Sequence, residues 1–210
     1  MTQFPKFPSQ RFETAGDYLD GYVAAYARAV ASVDRQRLTA AGEMLKAALE
    51  RDATIYVCGN GGSAAIANHL VCDHQKGMQT DTHFCPRVVS LSANVELITA
   101  IGNDIDFADI FVYPLRTAGR KGDLLISISS SGNSENIVRA VQWAKDNGIA
   151  TLAFTGFSGG RSAAIADVNL HVDGDNYGVV EDIHQSFMHI LAQYVRQSVM
   201  SEDLVRGRVF

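Results

Sequence analysis

The sequence predicts an α/β fold in which helices cover both faces of a five-stranded parallel sheet. Short runs rich in apolar and β-branched residues alternate with stretches whose apolar residues have helical spacing. The predicted strands span residues 54–58, 88–92, 124–129, 150–155 and 168–172. Helices between consecutive strands are typical of right-handed crossovers, which join parallel strands and cover the sheet on both sides.

Helical spacing also defines the remaining elements. Apolar residues from Leu19 to Val33, and again from Leu38 to Leu49, predict two helices that precede the first strand. The predicted helices that follow span 63–75, 95–101, 107–119, 134–147, 161–165 and 179–200. Pro114 counts against the third of these, because proline disrupts a helix interior.

Size and composition indicate one domain over residues 1–210, with 1–13 as a loose arm and 14–50 as a helical appendage. At 47% hydrophobic residues the chain can build a full core. A net charge of -5 and no lysine or arginine cluster argue against nucleic acid or an anionic membrane as the main partner.

Localisation is predicted to be cytoplasmic. The three cysteines, Cys58, Cys72 and Cys85, lack a C-x-x-C spacing, which argues against a disulfide framework and for a reducing compartment. Met1 to Gln10 show no signal-peptide pattern, and no apolar run is long enough to cross a membrane.

Two glycine- and serine-rich loops, residues 58–63 (CGNGGS) and 129–134 (SSSGNS), each follow a strand and lead into a helix. Backbone N–H groups, hydroxyls and a helix start together favour a phosphate cradle. The first loop lacks the P-loop lysine and GxGxxG spacing, so a small phosphorylated molecule is favoured over a dinucleotide. Ser134 or Asn133 could instead cap the next helix, but capping does not require the other serines.

A third polar segment, residues 102–104 (Gly-Asn-Asp), is expected in a loop near the same crevice. Ligands in open α/β sheets bind at the carboxyl ends of the strands, near the reversal of strand order. Asn103 and Asp104 can therefore present polar groups to the ligand of the two loops.

Two helices carry candidate chemistry. His69 and Asp73 lie four residues apart on one predicted helical face, where they can share a metal or act as an acid/base pair. In the last helix, His189 between Met188 and Ile190 fits a buried core histidine, and Glu181 fits a first-turn carboxylate. His184 is expected to face solvent, and the spacing does not bring this helix to His69.

The motifs in their order resemble a sugar isomerase (SIS) domain over about residues 14–200, and within it the phosphoheptose isomerases. They comprise two helices, strand-CGNGGS-helix, Gly-Asn-Asp, strand-SxSSSGNS-helix, Thr155-Gly156 before Gly159-Gly160, and a helix with acid-x-x-His-x-x-x-x-His. The resemblance implies a flavodoxin-like three-layer sandwich assembled as a homotetramer with active sites at subunit contacts. It also implies interconversion of sedoheptulose 7-phosphate and D-glycero-D-manno-heptose 7-phosphate for surface glycans such as lipopolysaccharide.

The resemblance assigns roles by position. It implies that His69, Asp73, Glu181 and His189 bind Zn²⁺. It further implies that a phosphorylated sugar is lined by Asn60, Gly61, Gly62 and Ser63, contacted by Asn103 and Asp104, and held at its phosphate by Ser129, Ser130, Ser131 and Ser134. In the implied reaction Asp73 is the base, with Glu181 as the substitute, and His189 donates the proton.

Three positions depart from the family pattern. Asp73 stands where glutamate is usual, and Glu181 where glutamine is usual, so two carboxylates could together neutralise a divalent zinc. Gly178 aligns with an acidic substrate contact, which leaves the identity of the sugar open.

Two alternatives stay open. One is an isomerase of another phosphosugar on the same scaffold. The other is a non-catalytic member of the fold that serves as a tetrameric scaffold for a protein partner. The presence of both His69 and His189 counts against the second.

Overall fold

A computed structural model describes residues 6–210. The helices are α1 (Ala15–Ala31), α2 (Arg35–Glu50), α3 (Gly62–Cys72), α4 (Val95–Asp104), α5 (Val112–Ala118), α6 (Glu135–Asp146), α7 (Gly160–Ile165), α8 (Tyr177–Gln197) and α9 (Glu202–Gly207). A π-helical segment spans Asp73–Met78, and a 3₁₀ turn spans Phe107–Asp109. The strands are β1 (Thr54–Gly59), β2 (Arg87–Ser90), β3 (Leu124–Ser129), β4 (Ala150–Thr155) and β5 (Val168–His171).

The five strands form one parallel sheet in the order β2-β1-β3-β4-β5, which confirms the predicted fold class. Ile55 in β1 pairs with Val88 in β2 on one side and with Leu124 in β3 on the other. The chain leaves β1 towards one edge of the sheet and leaves β3 towards the opposite edge. The strand order therefore reverses between β1 and β3, and the two glycine-serine loops follow these two strands.

Alternating side chains of the strands divide the core into two layers. Ile55 and Val57 pack with residues of α1, α2, α3 and α8, whereas Tyr56 and Cys58 pack with residues of α4, α5 and α6. Because successive side chains of a strand point to opposite faces, this division produces three layers with the sheet in the middle.

The two N-terminal helices belong to the main core and do not stand apart as an appendage. Ala29 of α1 and Leu45 of α2 are buried in the same cluster as the sheet. Two tyrosines of α1 also bond to α8: the Tyr22 hydroxyl donates to Asp182 at 2.7 Å, and Tyr26 shares a hydrogen bond with Ser186 at 2.8 Å. The first layer thus holds α8 in place from the N-terminal side.

Part of the predicted loose arm is anchored. Phe7 is buried, and its ring lies 5.8 Å from that of Phe12 and 5.1 Å from that of Tyr18. Residues 6–13 contain no helix or strand, but this aromatic contact fixes them against α1. Residues 1–5 of the arm lie outside the described part of the chain.

Several helix boundaries differ from the prediction. The helix expected over 107–119 is a 3₁₀ turn followed by α5, with Pro114 in the first turn of α5. That position tolerates proline because the first N–H groups of a helix have no intrahelical acceptor. The short helix α9 was not predicted from the sequence, although its start carries a recognisable signal: the Ser201 hydroxyl accepts from the Leu204 N–H.

Within residues 6–210, none of the helices combines the length and the apolar character that crossing a bilayer requires.

His184 lies inside the core, so the expectation that it faces solvent is wrong. It falls on the buried face of α8 between Ile183 and Phe187, and its ring lies 6.0 Å from the ring of Phe154. Burial lowers the pKa of His184 from 6.5 to about 4. The folded protein therefore keeps this imidazole neutral over a pH range in which the unfolded chain protonates it.

We expect the free energy of unfolding to fall as the pH drops from 6.5 towards 4, because in this window the unfolded state binds the proton and the folded state does not. His184 alone contributes at most about 1.4 kcal/mol per pH unit to this slope. His184→Phe should flatten the slope by up to that amount in denaturant titrations at successive pH values. The same substitution at the exposed His83 is the control, and an unchanged slope in His184→Phe would contradict the prediction.

Candidate active site

The first glycine-rich loop needs glycine at two positions for different reasons. Gly61 has a φ of 53° and a ψ of -123°, a conformation that side chains with a Cβ rarely adopt. Gly62 opens α3, and a Cβ at this position would collide with the carboxylate of Glu181. The absence of a side chain at Gly62 therefore brings the loop and Glu181 of α8 into contact.

A pair of amide hydrogen bonds ties the two loops together. Asn60 Nδ2 donates to Asn136 Oδ1 at 2.9 Å, and Asn136 Nδ2 donates to Asn60 Oδ1 at 3.0 Å. Asn136 is buried in the first turn of α6 and was not among the site residues predicted from the sequence. Asn136 follows Ser134, the last residue of the second glycine-serine loop, by two residues, and this position in the sequence could have indicated it.

The second loop keeps hydroxyls free for a ligand. Ser134 stands at the N-cap of α6 but makes no capping bond through its side chain, and Asn133 Oδ1 accepts instead from the Arg161 N–H at 3.0 Å. The Ser130 hydroxyl is buried and finds no partner among the described residues. Capping therefore does not account for these serines, and Ser130 Oγ is available to an incoming acceptor or donor.

Both loops line a small cavity of about 120 Å³ at the carboxyl ends of β1 and β3. Its lining consists of Asn60, Ser63, Ile128, Ser129, Ser130, Ser131, Ser134, Tyr177 and Glu181. This lining contains no lysine or arginine, so an anion bound here would be held by hydroxyl, amide and backbone donors of the described chain. We call this cavity the serine pocket.

Asn103 and Asp104 do not belong to the serine pocket. The loop expected at 102–104 is instead the last turn of α4, because the N–H groups of Ile105 and Asp106 both bond to the Ile101 carbonyl and close the helix later. Asn103 Nδ2 donates to Asp104 Oδ1 at 2.7 Å, and both side chains are exposed.

The predicted pairing of His69 with Asp73 is present at a change of helix type. His69 lies in the last turn of α3, and Asp73 begins the π-helical segment. His69 Nε2 lies 3.3 Å from Asp73 Oδ1. Single π-helical turns inside longer helices occur frequently at functional sites, because the wider turn changes the direction of nearby side chains.

The structure brings α8 to this pair, which the spacing in the sequence could not show. His189 Nδ1 lies 2.7 Å from Asp73 Oδ2, and the two imidazole rings are 5.2 Å apart in an edge-to-face arrangement. The side chain of His189 is 38% exposed, so it is not the buried core histidine that its apolar neighbours favoured. The buried stripe of α8 runs through Phe187, Met188 and Leu191, which leaves His189 at the edge that meets α3.

Gln185, one turn before His189, completes the contact, although it was not among the site residues predicted from the sequence. Its Nε2 lies 2.8 Å from His69 Nδ1 and 3.1 Å from His189 Nε2. The spacing from Glu181 to Gln185 to His189 is four residues in each step, which places all three on one face of α8. That spacing was the signal available in the sequence.

Glu181 is the fourth residue that the sequence assigns to zinc. It lies in the serine pocket, whereas the side chains that could together hold a metal ion among the described residues are His69, Asp73 and His189. Burial, and then the nearby charge of Asp182, raises the pKa of Glu181 above its usual value. The two carboxylates thus stand in separate environments.

The His69–Asp73–His189 group fits a metal such as zinc. It offers two imidazole nitrogens and one carboxylate oxygen within 4.8 Å of one another, a donor set that zinc accepts. The side chains are between one quarter and one half exposed, so solvent or a ligand has access to the group. Three protein donors with an accessible side are typical of catalytic zinc sites.

Comparison with known proteins gives a family match to about two thirds of the chain. The model of the SIS domain matches residues 17–156. A protein named phosphoheptose isomerase from Desulfovibrio desulfuricans is 39% identical over 149 residues, which cover 71% of this chain and 70% of that protein.

Solved structures agree with this match over more of the chain. The structure of phosphoheptose isomerase GmhA from Neisseria gonorrhoeae superposes with a TM-score of 0.79 at 32% identity, covering 88% of this chain and 100% of that one. A phosphoheptose isomerase from Francisella tularensis gives a TM-score of 0.77 at 29% identity, with coverages of 87% and 96%.

The free hydroxyl of Ser134 generates a prediction for anion binding. Ser134→Ala should weaken the binding of inorganic phosphate about 10- to 100-fold, because a hydrogen bond to a charged group contributes about 1.5–3 kcal/mol. Isothermal titration measures the change. Ser158→Ala, at an exposed serine outside the pocket, is the matched control, and equal affinities of the two variants would contradict phosphate binding by this loop.

Proposed function

The chain belongs to the SIS domain family, among its phosphoheptose isomerases, and on that premise we propose that it interconverts sedoheptulose 7-phosphate and D-glycero-D-manno-heptose 7-phosphate. The reaction is an aldose–ketose isomerisation. One observation carries the proposal: the serine pocket and the His69–Asp73–His189 group lie along the same face of α8. We place this reaction in the supply of heptose for surface glycans such as lipopolysaccharide.

The distance along α8 suits an extended sugar phosphate. Glu181 in the serine pocket and His189 in the metal-binding group are eight residues apart, which is about 12 Å of helix at 1.5 Å per residue. With its phosphate among the serines, a heptose would direct its carbonyl end along α8 towards His189. The serines, Asn60 and the backbone of the first loop would orient the substrate.

His69, Asp73 and His189 would hold a zinc ion. When bound, zinc supplies a Lewis acid that polarises the carbonyl oxygen of the substrate. Glu181 is outside this set, so the neutralisation of zinc by two carboxylates that the sequence suggested is not part of the proposal.

Proton transfer needs a base beside the carbonyl carbon and a donor that returns the proton to its neighbour. Asp73 suits the first role, because it belongs to the group that would face the carbonyl end of the bound sugar. His189 suits the second role, because it belongs to the same group and its side chain is 38% exposed to an incoming sugar. Glu181 in the serine pocket is the substitute base, and the kinetics of variants at Asp73 and Glu181 distinguish the two carboxylates.

The assembly is part of the same proposal. Leu19 and Val23 of α1 are 59% and 55% exposed, and Ile190 and Tyr194 of α8 are also exposed. A homotetramer with active sites at subunit contacts would cover such apolar side chains. The three unpaired cysteines fit a reducing compartment, and we place the protein in the cytoplasm on that basis.

A different phosphosugar is the second candidate substrate, and Gly178 is the observation that favours it. Gly178 lies in the first turn of α8, and a Cβ there would be 3.1 Å from the Tyr22 hydroxyl, so the position carries no acidic group and has little room for one. Incubation of the purified protein with a panel of ketose phosphates, with detection of the aldose formed, identifies the substrate.

We expect Asp73→Asn to lower kcat about 10²- to 10⁴-fold, the usual contribution of a general acid or base. The same variant should also reduce the zinc content, because Asp73 belongs to the metal-binding group, whereas Glu181→Gln should leave the zinc content unchanged. Steady-state kinetics and metal analysis on the same samples measure both effects.

Asp203→Asn, at an exposed carboxylate of α9, is the matched control and should retain full activity. Full turnover in both Glu181→Gln and Asp73→Asn, in proteins of unchanged fold, would exclude the proposed proton transfer.

A further inference from the structure

Gln185 lies opposite Asp73, on the other side of both imidazoles. Asp73 faces His69 Nε2 at 3.3 Å and His189 Nδ1 at 2.7 Å. The Gln185 amide faces the remaining nitrogen of each ring, His69 Nδ1 at 2.8 Å and His189 Nε2 at 3.1 Å. All four imidazole nitrogens therefore have a partner, and the four side chains form a closed ring of contacts.

The hydrogen bonds among these four side chains depend on which imidazole nitrogens carry the N–H bonds. A neutral imidazole has one N–H, and a carboxylate can only accept. When the two nitrogens that face Asp73 carry the protons, the nitrogens that face Gln185 have lone pairs, and the two N–H bonds of the amide donate to them. In this arrangement the nitrogens beside Asp73 carry protons and cannot bind a metal.

If the Gln185 amide is flipped, the nitrogens beside Asp73 have lone pairs and can bind a metal. A half-turn of the Gln185 amide brings Oε1 to the position of Nε2, and this oxygen has two lone pairs. It can then accept from His69 Nδ1–H and His189 Nε2–H. The other nitrogens, His69 Nε2 and His189 Nδ1, then carry lone pairs beside the carboxylate oxygens of Asp73. Metal-binding histidines usually donate their other N–H to an acceptor of this kind.

We propose that Gln185 is a positioning residue, whose amide selects the tautomers of both His69 and His189 and so prepares them to bind the metal. This inference rests on the metal site of the proposed function. Gln185 has no part in the binding of the sugar or in the proton transfer of the proposed function. One amide contacts both histidines, because Gln185 lies one turn before His189 on α8 and reaches His69 on α3.

The experiment compares Gln185→Leu, Gln185→Glu and wild-type protein. Zinc affinity is measured by competition with a chromophoric chelator, and the tautomers of His69 and His189 by ¹⁵N NMR of the imidazoles in the zinc-loaded protein. Gln185→Leu should bind zinc about 10- to 100-fold more weakly, the usual cost of losing such an outer partner. Gln185→Glu keeps an oxygen that accepts from both rings, so it should restore the affinity and the wild-type ¹⁵N pattern.

Gln193→Leu, the same substitution at an exposed glutamine two turns further along α8, is the control and should bind zinc as the wild type does. Wild-type zinc affinity and tautomers in Gln185→Leu would overturn the role of Gln185 and leave the isomerase proposal standing. Absence of zinc binding by wild-type protein would overturn both the role of Gln185 and the metal site. Activity of that wild-type protein on the ketose phosphates then decides separately whether it is an isomerase.

Discussion

The arrangement of the site depends on the contact between α8 and the end of α3, where Asp73 meets His189 at 2.7 Å across 116 residues of sequence. Buried side chains of α8, such as Phe187 and Val195, hold the helix against the sheet, and Tyr22 and Tyr26 bond to it from α1. Hydrophobic burial thus determines the depth and the rotation of α8. Its polar edge is then directed along α3 as a consequence.

The two ends of the site differ in the charge and the hydrogen-bonding groups that they present. The serine pocket has no basic side chain in its lining and carries Glu181, whose carboxylate would repel a phosphate placed against it. A phosphosugar bound here must therefore hold its phosphate on the side of the serines and present hydroxyl-bearing carbons to Glu181. The imidazoles at the other end accept or donate single protons and bind cations, which is the chemistry that the carbonyl end of such a sugar needs.

Two regions show where local sequence signals were insufficient. Gly102, Asn103 and Asp104 have the composition of a turn, yet α4 continues through them because the backbone closes later on the Ile101 carbonyl. His184 and His189 exchanged their expected environments because the flanking residues of a helix do not determine its rotation. That rotation is set by the whole apolar stripe of α8 against the sheet.

The sequence by itself determined the class of fold, the succession of strands and helices along the chain and the two loops of the serine pocket. Hydrophobic periodicity and glycine-serine composition are enough for this, because they act over a few neighbouring residues. It also placed His69 and Asp73 on one helical face, which needs only the helical repeat. Only the tertiary structure decided that His189 and Gln185 join them and that Glu181 faces the serine pocket. Those relations depend on how two helices pack across a long separation in sequence, and no local pattern records that packing.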